Sequence, residues 1–285
     1  MKLKFAGIKR QTDFSPNHIE NDSLIFMKTT ESLIELGAEV KLYDEEEVNQ
    51  IEIKEELIFS MAQGREANIK LLKKTEAGAL IINSPQSVLN CHRLNMVKLL
   101  PGSNIPFPKS ICGSLEEMKK IQFDSFNCRK IWIKRGDVHA VHSEDVTLVY
   151  SENEKNVTLK EFARRGINTA VLQEHLDGDV VKFYSVNGSD LFHWYYLNGI
   201  DHTEFDEKKL NELAVKSAAA LSLEIFGGDA VIAKDSSVKI IDINDWPSFA
   251  PIKDKASKKI AKLIYERAKR YVHNRTTNKT YADQN

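Results

Sequence analysis

The chain has 285 residues, 28% of them charged and 42% apolar, with a formal net charge of -1. That length exceeds one compact core and predicts two or three subdomains. The balanced charge excludes partners held by basic excess, so neither nucleic acid nor an anionic membrane is expected, and no apolar run approaches the ~18 residues of a bilayer span. Residues 3–8 read as a strand entered directly, with no signal-peptide core before it. Cys91, Cys112 and Cys128 are an odd, widely spaced set, expected to be reduced thiols of a cytoplasmic protein with no metal or catalytic role.

Asp22 or Ser23 can cap a helix that Gly37 ends. Strands are expected at 38–43, 57–61 and 79–83. An acidic loop with a partial helix fills 44–56, and a helix covers 67–75. Strands alternating with helices at this spacing indicate βαβ units on a parallel sheet. Residues 1–87 therefore read as a Rossmann-like domain, although no G-x-G-x-x-G run marks a dinucleotide site. A helix over 88–100 carries Arg93. Residues 104–110 are extended, because Pro106 and Pro108 bias the residues before them away from the helical region. Ser114 and Glu117 form a capping box for a helix to residue 121.

Strands at 130–135 and 146–150 flank a loop, 136–142. A short helix at 159–165 leads to a strand at 169–176. A strand at 180–186 turns at Asn187-Gly188 into a partner at 191–196. An amphipathic helix spans 207–224. Two strands, 226–232 and 239–247, are joined by Lys234-Asp235-Ser236-Ser237. A basic amphipathic helix at 255–272 reads as a solvated face, and 273–285 as a flexible tail. The expected division is 1–87, 88–173, 174–272 and 273–285.

The last two strands carry the most chemistry. Alternation puts Asp242 and Asn244 on one face and Ile241 and Ile243 on the other. Asp229, in the preceding strand, can face the same side as Asp242. Two carboxylates and an amide oxygen suit Mg2+ with phosphate ligands. The bland alternative is a hairpin with a polar solvent face. His139 and His142 have H-x-x-H spacing but no second ligand pair, so zinc is not expected. His193-Trp194-Tyr195-Tyr196 reads as a core strand, with ligand stacking as the other reading.

Taken in order, these features resemble the ATP-grasp superfamily over about residues 57–250. Asn83-Ser84-Pro85-Gln86-Ser87 and Ile105-Pro106-Phe107-Pro108-Lys109 look like the lead into its central domain. Ile131-Trp132-Ile133-Lys134 is similar to the strand whose lysine meets the nucleotide phosphates. Val171-Leu172-Gln173-Glu174-His175-Leu176 looks like the hinge strand along the adenine. Phe226-Gly227-Gly228-Asp229 and Ile241-Asp242-Ile243-Asn244 are similar to the metal-binding strands. The resemblance implies a mixed α/β and α+β fold, with the Rossmann-like domain followed by two α+β subdomains that enclose ATP.

It also implies roles. Lys134 would contact the α- and β-phosphates, with Arg93 as a second basic contact. Gln173, Glu174, His175 and Leu176 would line the adenine. Asp179 would accept from the ribose, with Asp177 as its competitor. Lys182 would reach the transferring phosphate or the acceptor. Asp229, Asp242 and Asn244 would hold one or two Mg2+, or Mn2+ in its place. The loop 136–142 stands where the family has a glycine-rich lid, with Gly136 its one glycine.

The layout is similar to the glutathione-synthetase and RimK-like branch, whose members join a carboxylate to an amine through an acylphosphate. Two positions depart from it. Gly227 stands where that branch commonly has arginine, and Asp242 where it commonly has glutamate. In those respects the strands look like ATP-grasp inositol polyphosphate kinases. The first expectation is an ATP-dependent carboxylate–amine ligase. A small-molecule kinase comes second, and a nucleotide-binding module without catalysis third. The partner is expected to be a small-molecule or peptide acceptor, and the protein a monomer or homodimer. Gln63, Arg65, the loop 197–206 and the segment 246–251 are candidates for acceptor specificity.

Overall fold

The computed structural model describes residues 2–15, 18–137 and 142–282. In chain order the principal elements begin with β1 (Lys4–Lys9), α1 (Ile19–Glu35), β2 (Glu39–Asp44), α2 (Glu45–Val48), β3 (Leu57–Ser60), α3 (Arg65–Glu76) and β4 (Leu80–Ile82). Then come α4 (Pro85–Cys91), α5 (Arg93–Gly102), β5 (Ser110–Ser114), α6 (Leu115–Lys120), β6 (Ile131–Arg135), β7 (Val146–Val149), α7 (Glu152–Arg164) and β8 (Thr169–Glu174). The last are β9 (Asp179–Val186), β10 (Phe192–Tyr196), α8 (Glu207–Leu221), β11 (Ile225–Ile232), β12 (Val238–Asp245) and α9 (Lys253–Ala282). Among the described residues, no helix is long and apolar enough to cross a membrane.

The chain divides into two compact units. One is 1–86 with 185–191 and 246–285; the other is 87–184 with 192–245. The first holds a parallel sheet in the order β2-β1-β3-β4. Every residue of β3 is buried, as expected of a central parallel strand covered on both faces. Phe59 packs on Phe26 and on Trp246, with ring centroids 5.3 and 6.2 Å away. The buried Glu45 carboxylate accepts from the backbone N–H groups of Gln11, Gln63 and Gly64 at 2.9, 3.1 and 2.6 Å. It thereby ties the ends of β1 and β3 together.

The second unit holds two four-stranded sheets. In the order β5-β8-β6-β7 the paired strands run antiparallel, and α6 and α7 cover one face over Met118, Ile131, Ile133, Phe162 and Leu172. The other sheet has the order β10-β9-β11-β12. Its core face packs Phe183, Phe226, Ile240 and Ile243 against residues of α5 and α8. Gly228 lies on that face. A Cβ there would come within 2.4 Å of the Asp242 carbonyl and 2.6 Å of the Phe183 ring, so only glycine lets the strands close.

The parallel sheet followed by α+β units matches the expected fold class, but several details differ. The helix expected over 88–100 is two helices, broken at the extended His92 (φ -59°, ψ 134°). The strand β5 was not foreseen. The hinge strand stops at Glu174, so His175 and Leu176 lie in the loop beyond it. The expected division also differs, because 246–285 belongs with the first unit. The helix expected to end at 272 runs on to Ala282. Ala256, Ile260, Ile264 and Ala268 form its buried stripe, and α1 packs along it. Past that stripe, Tyr271 donates to the Gly78 carbonyl and Arg275 pairs with Glu56, which holds the next turns.

Candidate functional site

Asp229 on β11 stands directly opposite Asp242 on β12, and Gly227 opposite Asn244. All three candidate metal ligands therefore share one face, and no side chain competes beside Asn244. The register carries a bulge: Asp229 pairs with Asp242, but Ala230 pairs with Ile240. Ile241 is the extra residue. It lines a small cleft together with Asp242, while Ile240 and Ile243 stay in the core. A bulge puts two successive side chains on one side, as it often does beside functional sites. The expectation that Ile241 faces away from Asp242 is thus corrected.

The cleft is lined by Arg93, Lys134, Gln173 and Asp242, with an apolar wall of Met96, Val97, Phe107, Val171 and Ile241. The helix break at His92 makes Arg93 the first residue of α5. The segment after α5 is fixed by the Ile240 N–H, which donates to the Pro106 carbonyl at 3.0 Å. Phe107 is seated next to that bond.

Lys134 is 9% exposed. Burial lowers its pKa from 10.5 to about 8; Asp242 and Asp229 oppose that, while Arg93 adds to it. Arg93 is also buried. Its Nη1 donates to the Arg135 carbonyl at 3.4 Å, and its Nε has no hydrogen-bond partner among the described residues. A buried guanidinium N–H without a partner is costly, unless an anion satisfies it.

Lys182 projects from β9 with its Nζ 2.7 Å from Asp229 Oδ1. Burial disfavours its charge, yet Asp229, Asp242 and Tyr195 hold its pKa above the ordinary value. Burial and the charge of Asp242 push the Asp229 carboxyl up, against Lys182 and Lys134. Three cations and two carboxylates thus converge on one end of the cleft. No cluster of three or more His, Cys, Asp or Glu able to hold a metal occurs among the described residues. Any hard-metal site here uses two carboxylates and the Asn244 amide, with the remaining ligands from outside the chain. That donor set fits Mg2+ or Mn2+ bound together with phosphate oxygens, and the unpartnered Arg93 Nε fits the phosphate.

The hinge candidates separate. Gln173 lines the cleft, and its Nε2 donates to Ser110 Oγ at 2.9 Å. Glu174 Oε1 accepts from the Lys109 N–H at 2.9 Å, and Lys239 lies 4.0 Å away. His175 packs near Trp132 and meets Asp177 at 3.3 Å; burial and Lys130 lower its pKa against the pull of Asp177. Leu176 is half-buried. Asp179 is engaged elsewhere: its Oδ2 accepts from the Thr203 N–H at 2.8 Å, which keeps its pKa low.

His139 lies outside the described residues, as do 138, 140 and 141. The aromatic strand β10 divides by face. Phe192, Trp194 and Tyr196 pack on the core, whereas Tyr195 stacks near Tyr184 and His193. Ile241, Phe107 and Met96 were not assigned to a nucleotide wall from the sequence, whereas Val171 belongs to the hinge strand that was. Pro106-Phe107-Pro108, an aromatic held extended between prolines, was a local signal for Phe107.

No protein-family model matches the chain, and no curated protein does. Solved structures do match along nearly its whole length. D-alanyl-alanine synthetase A from Vibrio cholerae is 12% identical with a TM-score of 0.70, over 94% of this chain and 98% of that one. A RimK domain ATP-grasp protein from Sphaerobacter thermophilus is 15% identical with a TM-score of 0.69, over 92% and 100%. The ATP-grasp ligase PsnB, in complex with a phosphomimetic variant of its minimal precursor, Mg and ADP, is 14% identical with a TM-score of 0.61, over 94% and 99%. At such identities the likeness is one of fold.

Proposed function

The chain has the ATP-grasp fold, and from that premise we propose that the cleft of its second unit binds ATP with Mg2+ and that the protein is an ATP-dependent carboxylate–amine ligase. One observation carries the reading. A single cleft joins an apolar wall, a buried lysine and arginine, and Asp242, which Asp229 faces across the strand pair. A nucleotide needs those three surfaces in that combination.

In this reading Ile241, Phe107, Met96 and Val171 cover the base, and backbone groups of the hinge strand meet its edge. Lys134 and Arg93 draw the phosphates, and the unpartnered Arg93 Nε gains an acceptor. Asp229, Asp242 and Asn244 hold the metal, which when bound neutralises charge on the β- and γ-phosphates. Lys182 stands on the acceptor side of the same face. The γ-phosphoryl group passes to a carboxylate oxygen, ADP leaves, and an amine attacks the acylphosphate and releases phosphate. Asp179, tied to Thr203, is not assigned to the ribose. The cleft is nearly closed, with a cavity volume of about 10 Å³, far below the roughly 300 Å³ at which ligand pockets begin. Its walls must part to admit a nucleotide.

The charge count supports a ligase over a polyphosphate kinase. Three cations, Arg93, Lys134 and Lys182, face two carboxylates, Asp229 and Asp242, and a surplus of one charge is little for a polyanionic acceptor. A kinase acting on a simpler hydroxyl is the second reading. It is favoured by Gly227, which leaves the space beside Asn244 without the arginine common in the branch that the sequence resembles.

Asp242→Asn is expected to lose the thermal stabilisation given by Mg2+ with ADP while its metal-free melting stays near that of the parent. A parental shift in the variant would remove the metal assignment. ADP release across pooled carboxylates and amines then separates the two reactions. A ligase releases ADP and free phosphate only with both substrates present, whereas a kinase leaves a phosphorylated acceptor.

A further inference from the structure

Two carboxylates placed opposite each other on neighbouring strands repel, and a buried setting strengthens the repulsion. Asp229 and Asp242 are such a pair. Lys182 meets Asp229 directly, its Nζ 2.7 Å from Asp229 Oδ1, and its charge is also felt by Asp242. Neither side chain is freely solvated: Lys182 is 26% exposed and Asp229 20%. β9 lies beside β11, and β10 beyond it. The same face therefore presents, in order, Tyr195, Lys182, Asp229 and Asp242. The hydroxyls of Tyr184 and Tyr195 sit 3.4 Å apart, and Tyr195 is close enough to stabilise the Lys182 charge.

A divalent cation that uses Asp229 needs the oxygen that the Lys182 ammonium holds. Both cannot take the same lone pairs at full strength. We propose that Lys182 is the resident counter-ion of the carboxylate pair and that the metal enters by exchange with it, releasing the ammonium toward the Tyr184 and Tyr195 hydroxyls. This rests on the metal reading of Asp229 and Asp242 given above. Its consequence concerns order. Lys182 becomes free to meet an acceptor only once the metal has taken Asp229, so one event arms both sides of the site. No covalent step is involved; one cation replaces another on the same carboxylate.

Mn2+ binding to the full chain, followed by electron paramagnetic resonance at fixed pH without nucleotide, tests the exchange. Lys182→Met removes the competitor and should tighten Mn2+ binding about tenfold or more, the scale of one lost charged hydrogen bond. Lys182→Arg keeps a cation and should stay near the parent. Equal or weaker binding in Lys182→Met overturns the proposal. Should that variant fail to fold, the unmodified chain serves. Its Lys182 ammonium resonance, assigned with Lys182→Arg and read by lysine-selective 15N spectroscopy, should move when Mg2+ is added with ADP. A resonance that stays fixed while other signals report Mg2+ and ADP binding overturns the exchange but leaves the metal site standing. Absence of any Mn2+ binding, even with ADP, overturns both.

Discussion

Lys134→Met removes one buried ammonium and keeps nearly the length of its stem. In the ligand-free protein, burial lowers the Lys134 pKa from 10.5 to about 8. At about 1.4 kcal/mol per pH unit, that gap is worth roughly 3 kcal/mol against the charged form. The sign follows from the folded pKa lying below the unfolded one. Below about pH 8 both states carry the proton, and the folded state bears the full cost. Between about 8 and 10.5 the folded protein has released it and the unfolded chain has not, so stability rises with pH across that window. At neutral pH the methionine variant escapes the cost. It also leaves Arg93 and Lys182 facing Asp229 and Asp242, a matched set. The expected gain is roughly 1–3 kcal/mol, or about 2–6 °C in melting temperature for a chain of this size. The same variant should lose most of its nucleotide response. With Mg2+ and ADP at a hundred times the parental Kd, the parent gains about 2.7 kcal/mol, whereas a variant binding a hundredfold more weakly gains about 0.4 kcal/mol. Urea unfolding with and without Mg2+ and ADP measures both effects. A variant less stable than the parent without nucleotide, or one with an undiminished nucleotide shift, would refute the reasoning.

ADP affinity should fall above about pH 8, by up to tenfold per pH unit, as Lys134 gives up its proton. Calorimetric titrations that stay flat to pH 9.5 would count against Lys134 as the phosphate contact. Ile241→Ala removes three carbons of the apolar wall and should weaken ADP by up to about sixtyfold, at about 0.8 kcal/mol per buried carbon, with metal affinity unchanged. Identical nucleotide affinity in that variant would return Ile241 to a purely structural role. Gly228→Ala places a Cβ 2.4 Å from the Asp242 carbonyl. Forcing β11 from β12 should lower stability by roughly 2–3 kcal/mol and loosen Mn2+ binding as the carboxylates separate. A parental urea midpoint would show that the strands have slack.

Much of the site could be read in the sequence because its chemistry is written in residue types. Aspartates and an asparagine in apolar strands, and a lysine at the end of Ile131-Trp132-Ile133, are unusual enough to stand out from pattern alone. The parallel sheet was legible for a similar reason, since alternation of strand and helix leaves few topologies open. Partner choice was not legible. Asp179 has the right residue type next to the hinge, yet its carboxylate closes the 197–203 loop through Thr203, 24 positions on. Nothing local distinguishes those two uses. The length of α9 was also hidden, because Tyr271 and Arg275 hold its later turns through Gly78 and Glu56, far away in the chain.

The bulge at Ile241 shows why alternation alone could not complete the cleft. Ile240, Ile241 and Ile243 are chemically alike, so the sequence cannot say which one is the extra residue. Burial decides it. Ile240 and Ile243 both belong to the core, and a regular strand could not send two residues three apart to one face. One residue between them must be added, which turns Ile241 outward beside Asp242. The same step serves two needs. It keeps Asp242 opposite Asp229, where the pair can share a cation, and it sets an apolar side chain next to that charge. Without the extra residue, β12 could supply the carboxylate or the apolar wall at this point, but not both. The helix break at His92 acts similarly on the other side of the cleft. It starts a new helix at Arg93 and brings that guanidinium to the end of β6, beside Lys134.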